Sequence, residues 1–302
     1  MERVGYRLVV AYDGTDFCGW QKQEPPADEF GDGGVEGSKG EVVGRVVKDG
    51  VERVQLRTVQ HVLERAVRDA LREEVVLTGA SRTDSGVHAW GQSAFFVSEP
   101  MGEKGVGWPA DRGVEKLVKA VNGRLPRDVW VRSAEVVGED FNVIGGATSK
   151  EYTYTIACGE ARPIFGRRYV WHTWYDLDVA KMNEAAKVLI GEHDFAGFAQ
   201  INHGRKTTVR EIFDCSVEEI DGGNDVVGIG GDGVKLVRVR VSGSGFLYNM
   251  VRIVAGTLVE VGRGKMSVDD VRRVVAEADR LSNRGMTLPP MGLRLEWIRY
   301  GG

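Results

Sequence analysis

Residues 74–99 read EVVLTGASRTDSGVHAWGQSAFFVSE. Two apolar, β-branched-rich runs, EVVLTGA and QSAFFVSE, flank a polar stretch containing Gly86, Gly91 and an aspartate, Asp84, two residues after Arg82. The runs predict two strands with a loop held between them. An Asp followed by Ser-Gly commonly closes an Asx-type turn, which is the plain reading of Asp84. A lone turn needs neither Arg82 nor His88 nor two further glycines. A loop pinned by strands at both ends is a setting in which binding and catalytic side chains are held in place.

The flanking sequence predicts alternating strands and helices. TVQHVLERAVRDALREE (58–74) sets Val59, Val62, Leu63, Ala66, Val67, Ala70 and Leu71 at helical spacing behind Thr58 as N-cap. RLVVAYDGTDF (7–17) predicts a strand ending in a turn at Asp13 and Gly14. A helix through Val114, Leu117, Val118 and Val121 must stop by Pro126, before a strand at VWVRSAEVV (129–137). KEYTYTIA (150–157), EIFDCSVEEI (211–220), VKLVRVRVSG (234–243) and GLRLEWIRY (292–300) predict strands. Residues 178–190, closed by Gly191, then NMVRIVAGTLVEVG (249–262) and VDDVRRVVAEAD (268–279), predict helices. The pattern predicts an α+β chain with largely antiparallel sheets. The loop-like GEDFNVIGGATS (138–149) divides it into an N-terminal α/β domain, 1–140, and a C-terminal one, 141–302.

The 302 residues, 42% of them apolar, suffice for two domains of ordinary size. Net charge is −4, but residues 24–56 alone hold eight acids against four bases, so the rest of the chain carries 36 of each. That Gly-rich, polar stretch reads as a mobile surface insertion. Cys18, Cys158 and Cys215 form no CxxC pair and leave one over, so neither a disulfide framework nor a zinc ribbon is expected. MERVGYRLVVAYDG has charges at positions 2, 3 and 7, unlike a signal peptide, and no apolar run approaches the roughly 18 residues needed to cross a bilayer. The expected setting is intracellular: cytoplasmic by default, with nucleus or organelle as alternatives, and with no membrane partner.

Histidines 61, 88, 172, 193 and 203 never fall at HxxxH or HxH spacing, and no carboxylate cluster offers a hard-cation cage, so no metal is expected. GSGFLYN (243–249) has two glycines between a strand and a helix, but Tyr248 stands where a dinucleotide fingerprint needs its third, and no GK[ST] follows. No GxSxG elbow is present. No cofactor is expected, and by elimination an enzyme here works with carboxylate, arginine and tyrosine groups.

Seven stretches, YDGTDFCGWQKQ (12–23), TVQHVLERAV (58–67), GASRTDSGVHAWGQ (79–92), KEYTYTI (150–156), GEHDFAGF (191–198), GFLYNMVRIVAGTLVEVG (245–262) and PPMGLRLEWIRY (289–300), resemble in order the TruA family of tRNA pseudouridine synthases. The resemblance implies the pseudouridine synthase fold: two α/β domains around a central basic cleft, with the active site at their junction and homodimers common. It implies that Asp84 is the essential catalytic aspartate and that Arg82 fills the space left by an extruded nucleotide. Tyr152 would stack on the target base, and Arg252 would pair with the catalytic carboxylate. His88 and Phe246, within the same matching elements, are carried as substrate-binding candidates. The implied reaction detaches uracil from C1′ of the ribose, turns it and rejoins it through carbon, so no cofactor is consumed. Asp84 could attack C1′, add to the uracil ring or remove a sugar proton; the sequence leaves all three open.

Taken alone, Tyr152 reads as a core aromatic sharing a strand face with Tyr154 and Ile156, and Arg252 as a structural pair. Basic points for RNA phosphate are Arg65, Arg68 and Arg72 on one helix face, Arg167/Arg168, Arg205/Lys206 and Arg263/Lys265. Two features depart from the family pattern. Ile144 stands where members often carry an arginine, and the 24–56 stretch exceeds the short connection of compact bacterial members, resembling expanded eukaryotic and organellar ones. The anticodon stem-loop is the expected target, with other tRNA positions or other RNAs as alternatives. Two other classes remain: a catalytically inactive RNA-binding homologue, and a hydrolase with Asp84 as nucleophile, which would need a second carboxylate or a Mg²⁺ site.

Overall fold

The computed structural model describes residues 3–28, 41–103, 105–200, 206–220 and 234–301. The chain divides into two compact units, Met1–Ala147 with Tyr300–Gly302, and Thr148–Arg299.

In the first unit, β1 (Val4–Tyr12), β2 (Val42–Lys48) and β3 (Val51–Leu56) precede α1 (Val59–Leu71) and the short β4 (Thr78–Gly79); β5 (His88–Ser98), α2 (Val114–Asn122) and β6 (Val129–Val137) follow. β1 lies between β5 and β6, antiparallel to both, with Tyr6 opposite Phe96 on one side and Val136 on the other. Tyr6, Leu8 and Val10 are fully buried, and the Tyr6 ring stacks on Phe96 at 5.4 Å. α1 starts at its expected cap, Thr58, whose side chain accepts from His61 N–H, and buries Val59, Leu63, Ala66, Val67 and Leu71. Each fully buried Leu of such a stripe stabilises by about 1.5–3 kcal/mol.

Two expectations change here. Of EVVLTGA, Thr78 and Gly79 pair with β5 as a two-residue strand, and Ala80 N–H donates to Ser93 O at 2.8 Å. The rest runs beside α1, whose side chains take its backbone groups: Gln60 Nε2 donates to Leu77 O at 2.7 Å, Leu77 N–H donates to Glu64 Oε2 at 3.0 Å, and Arg68 Nε donates to Val75 O at 2.8 Å. The second change concerns the supposed mobile insertion. Residues 42–56 form an antiparallel hairpin, β2 with β3, turned by Asp49 and Gly50, both at positive φ. Asp-Gly is the dipeptide that a two-residue hairpin turn favours. Val54 and Leu56 are buried with Cys18, and residues 23–27 run alongside, Val54 N–H donating to Pro25 O at 3.0 Å and Ala27 N–H to Glu52 O at 2.8 Å. Residues 29–40 of that stretch lie outside the described residues.

The second unit contains β7 (Ala147–Cys158), β8 (Trp171–Thr173), α3 (Val179–Lys187), β9 (Gly191–Asp194), β10 (Val209–Ile220), β11 (Lys235–Gly243), α4 (Met250–Gly262), α5 (Val268–Glu277) and β12 (Leu293–Tyr300). The strand order is β12-β7-β11-β10-β9; β7 to β11, β11 to β10 and β10 to β9 are antiparallel, while β8 joins β7 in parallel. α4 is apolar on nearly all sides and correspondingly buried. α5 carries a full capping box between Ser267 and Asp270. The helix expected over 178–190 ends at Lys187, and Gly191, at φ +109°, opens β9 instead of capping the helix. β8 and β9, of three and four residues, are too short to show a period in the sequence.

Candidate active site

Asp84 sits in a turn whose backbone is fixed on every side within the first unit. Val87 N–H donates to Asp84 O at 3.1 Å, with Gly86 at φ +78° in the position where a turn of this kind admits glycine. The plain turn reading is therefore right about the backbone. Beneath the turn lies the segment after β1. Trp20 N–H donates to Thr83 O at 3.0 Å, the Tyr12 and Thr83 hydroxyls meet at 2.7 Å, and Ser85 Oγ donates to Phe17 O at 3.1 Å. Two glycines allow this approach. A Cβ on Gly14 would stand 2.0 Å from Val87 O, and one on Gly19, at φ +84°, would stand 2.7 Å from Thr83 O. YDGTDFCGW is thus the cradle of the Asp84 turn.

His88 completes this arrangement from inside. It is buried, and its Nδ1 accepts the Gly14 N–H at 3.0 Å while standing 3.2 Å from Asp13 Oδ1. A backbone N–H can only donate, so Nδ1 is the acceptor and the ring proton sits on Nε2. Asp13 Oδ1 serves instead as acceptor for Thr15 N–H and Thr15 Oγ, at 3.0 and 2.6 Å. The next residues of the loop are fixed by the fully buried Gln92, which accepts from Ser81 N–H and donates to Ser81 O. Arg82 is exposed, and Asp84 is half-buried on its rigid turn.

The cradle is in turn tied to α1. Val59 and Gln60 N–H donate to Gly19 and Trp20 O at 3.1 and 3.0 Å. Arg57 grips Asp128 through Nη2 at 2.9 and 3.1 Å, and its guanidinium lies 4.0 Å over the Phe17 ring. The Cys18 thiol in this segment is raised by burial, partly offset by Arg57.

In the second unit, Tyr152 on β7 lies opposite Val241 of β11 and is buried. The Phe246 ring meets it edge-on at 5.2 Å. Tyr154 and Ile156, on the same strand face, are fully buried, so the burial of Tyr152 fits its core reading as well. Burial pushes the Tyr154 phenol up, with Arg252 opposing, and its hydroxyl donates to Pro289 O at 2.7 Å. Arg252 stands in the first turn of α4, a turn without an acid, behind the left-handed Asn249. Nε donates to Leu288 O at 2.6 Å and Nη1 to Asn249 Oδ1 at 2.7 Å. A helix N-terminus disfavours a cation and favours an anion, so two fixed acceptors hold this guanidinium where an additional negative group is stabilised. Gly243, which invited a dinucleotide reading, ends β11 where a Cβ would come within 2.5 Å of Glu211 O.

Several basic points are already engaged. Arg68 pairs with Glu64 and Glu74 at 2.9 Å each, whereas Arg72 caps α1 with its backbone in the left-handed conformation and leaves its side chain exposed. Arg263 pairs with Glu260 at 2.7 Å and covers the Tyr175 ring at 3.8 Å. Arg65, Arg167, Arg168, Lys206 and Lys265 are exposed, while Arg205 and His203 lie outside the described residues. Among the described residues no group of three or more His, Cys, Asp or Glu could hold a metal ion, and no helix is long and apolar enough to cross a membrane. Reading the sequence alone missed Tyr12, Thr83, Phe17 and Gln92 as supports of the turn. The paired glycines of YDGTDFCGW were the available signal.

A family model described as tRNA pseudouridine synthase matches residues 48–144 and 185–301. The tRNA pseudouridine synthase A of Citrifermentans bemidjiense is 38% identical over 294 residues, covering 97% of this chain and 96% of that protein. The protein of the same name from Clostridium botulinum is 34% identical over 294 residues, with 97% and 98% covered. A Clostridium perfringens protein named tRNA pseudouridine synthase A 2 is 35% identical over the same length, again with 97% and 98% covered. These relatives are bacterial and match nearly end to end, whereas the long 24–56 stretch had pointed towards expanded eukaryotic members. The likeness runs through both units and takes in the Asp84 turn: the chain belongs to the tRNA pseudouridine synthase family.

Proposed function

We propose that this chain isomerises uridine to pseudouridine in tRNA, with Asp84 as the residue that begins the reaction. The observation that carries the reading is the Asp84 turn itself: a carboxylate on a loop gripped by Tyr12, Phe17, Trp20 and Gln92. Such a support is far more than a surface turn requires, and it is what holding a reacting group to within a fraction of an ångström demands.

The reaction breaks the N1–C1′ bond and forms C5–C1′, and the hydrogen on C5 leaves while N1 gains one. Substrate and product have the same atoms, so nothing but acid, base or nucleophile chemistry is asked of the side chains. Asp84 must begin ionised, and Arg252 is the proposed partner that keeps it so, since a guanidinium does not itself deprotonate. Reaching a stacked uridine costs a few kcal/mol. Arg82, exposed on the turn, is proposed to occupy the vacated position. Tyr152, with Phe246 fixing its ring edge-on, is proposed to stack on the extruded base, a contact worth about 1–3 kcal/mol. His88 is assigned a positioning role, because its ring is buried beneath the turn.

The anticodon stem-loop is the proposed target, a homodimer the proposed assembly and the cytoplasm the proposed site of action. Incubating unmodified tRNA transcripts with wild type and Asp84→Ala, then mapping pseudouridine at single-nucleotide resolution, tests the reading. Modification of the anticodon arm by wild type, absent with Asp84→Ala, is expected. No pseudouridine on any tRNA would overturn it.

A further inference from the structure

Residues 159–175, GEARPIFGRRYVWHTWY, hold three arginines, five aromatic rings and one acid, in a chain whose net charge is −4. None of them supports the Asp84 turn or contacts Tyr152, Phe246 or Arg252 in the bonds described above, though Arg167 and Arg168 are among the basic points the sequence singles out. The segment closes on itself: Gly159 N–H donates to Thr173 O at 3.1 Å, and a turn inside it is closed by Tyr169 N–H on Gly166 O at 2.8 Å, with Gly166 at φ +72°. Val170 anchors it in a buried cluster with Ala157 and Leu236, and Trp171–Thr173 pair with β7. This is a compact loop with its ends joined, of the kind that commonly carries function.

A fixed loop would be expected to fold its large apolar side chains inward. Here Phe165 is 73% exposed, Ile164 62%, Trp174 58% and Tyr175 50%. A cation lies beside one of the rings, the Arg162 guanidinium 5.4 Å from the Trp174 ring centre, and the His172 and Trp174 rings make a T-shaped contact at 4.6 Å. Arg167 is held over the turn by its bond to Ile164 O at 3.0 Å. Exposed rings interleaved with arginines are the composition that binds unpaired nucleotides, bases stacking on the rings while guanidinium groups meet the phosphates.

We propose that the 159–175 loop is an additional contact surface for the tRNA, taking a non-helical part of it by stacking bases on Phe165 and Trp174 while Arg162 and Arg167 meet neighbouring phosphates. The inference rests on the reading of this chain as a tRNA-modifying enzyme. A second copy of the chain fits the loop less well. A two-fold interface sets the same patch against itself, so acids of that patch would have to stand opposite its arginines. Such acids are few, since Glu160 is the one acid of the segment and Asp176 is bonded to Lys235 at 2.6 Å.

The test uses the full chain and two double variants, Phe165→Ser with Trp174→Ala and Arg162→Gln with Arg167→Gln. Affinity for an unmodified tRNA transcript is measured across a salt series, alongside pseudouridine formation at saturating enzyme and sedimentation of the free protein. The aromatic variant is expected to bind at least about tenfold more weakly, with its saturated rate unchanged. The arginine variant is expected to weaken binding and to lower the salt slope by about one for each phosphate it no longer neutralises. Unchanged affinity in both would overturn the inference. So would a wild-type dimer that the aromatic variant converts to monomer with tRNA affinity intact, which would make a second copy the occupant. Wild type that binds tRNA but forms no pseudouridine would instead sink the proposed reaction and leave the loop to be judged by affinity alone.

Discussion

Asp84 shows how far one residue can be read. Its type and neighbours were legible, and so was the turn, because Ser-Gly after Asp dictates it. The inward course of His88 was not, since a histidine next to a glycine-rich loop carries no sign of which side of the strand it takes until the register is known; pairing of Tyr12 with Ala89 sets that register. Asp84→Asn keeps the size and removes the charge. It is expected to leave the melting temperature within a few degrees and to lower the single-turnover rate at least about a hundredfold, read by quenched-flow sampling of product. The cysteines make a second case. Burial raises all three thiols, Cys158 to about 12, and the thiolate is the form that alkylates. Native protein at pH 8 is therefore expected to react with iodoacetamide far more slowly than free cysteine, with three sites labelled after denaturation; fast labelling of Cys158 in the folded chain would contradict the burial.

At the scale of elements, long amphipathic helices announced themselves and short strands did not. α1, with a seven-residue apolar stripe and a Thr cap, was readable over nearly its whole length. β4, β8 and β9 have two to four residues and owe their existence to neighbours. The β2 and β3 hairpin was not legible, because its Asp49-Gly50 turn and its buried Val54 and Leu56 stand among eight acids in a Gly-rich, polar stretch. Leu56→Ala is expected to cost about 2–5 kcal/mol in a urea titration, and a cost below measurement would restore the mobile-insertion reading. The cradle gives a sharper case. Gly19→Ala puts a Cβ 2.7 Å from Thr83 O on a left-handed backbone, so it must displace the Asp84 turn or strain it. A loss of kcat well beyond any loss of tRNA affinity is expected, in protein whose far-ultraviolet spectrum is unchanged.

Over the whole molecule, the proposed chemistry draws on both units: Arg82 and Asp84 lie in the first, and Tyr152, Phe246 and Arg252 in the second. Whole-chain charge was a poor guide to partner. The chain carries −4, yet arginines such as Arg57, Arg68, Arg240 and Arg263 are paired with acids of their own unit, so the sum says little about any one surface. The family resemblance supplied what spacing could not, since Tyr152 and Arg252 look like core and structural residues and become candidates only through that resemblance. The most direct test of the central claim follows the hydrogen that the reaction must release. With tRNA labelled with tritium at C5 of uridine, wild type is predicted to liberate tritium to water as pseudouridine forms, in the presence of EDTA, while Asp84→Asn binds the same tRNA and liberates none. Tritium release by Asp84→Asn at the wild-type rate, or none from wild type on any tRNA, would contradict the account.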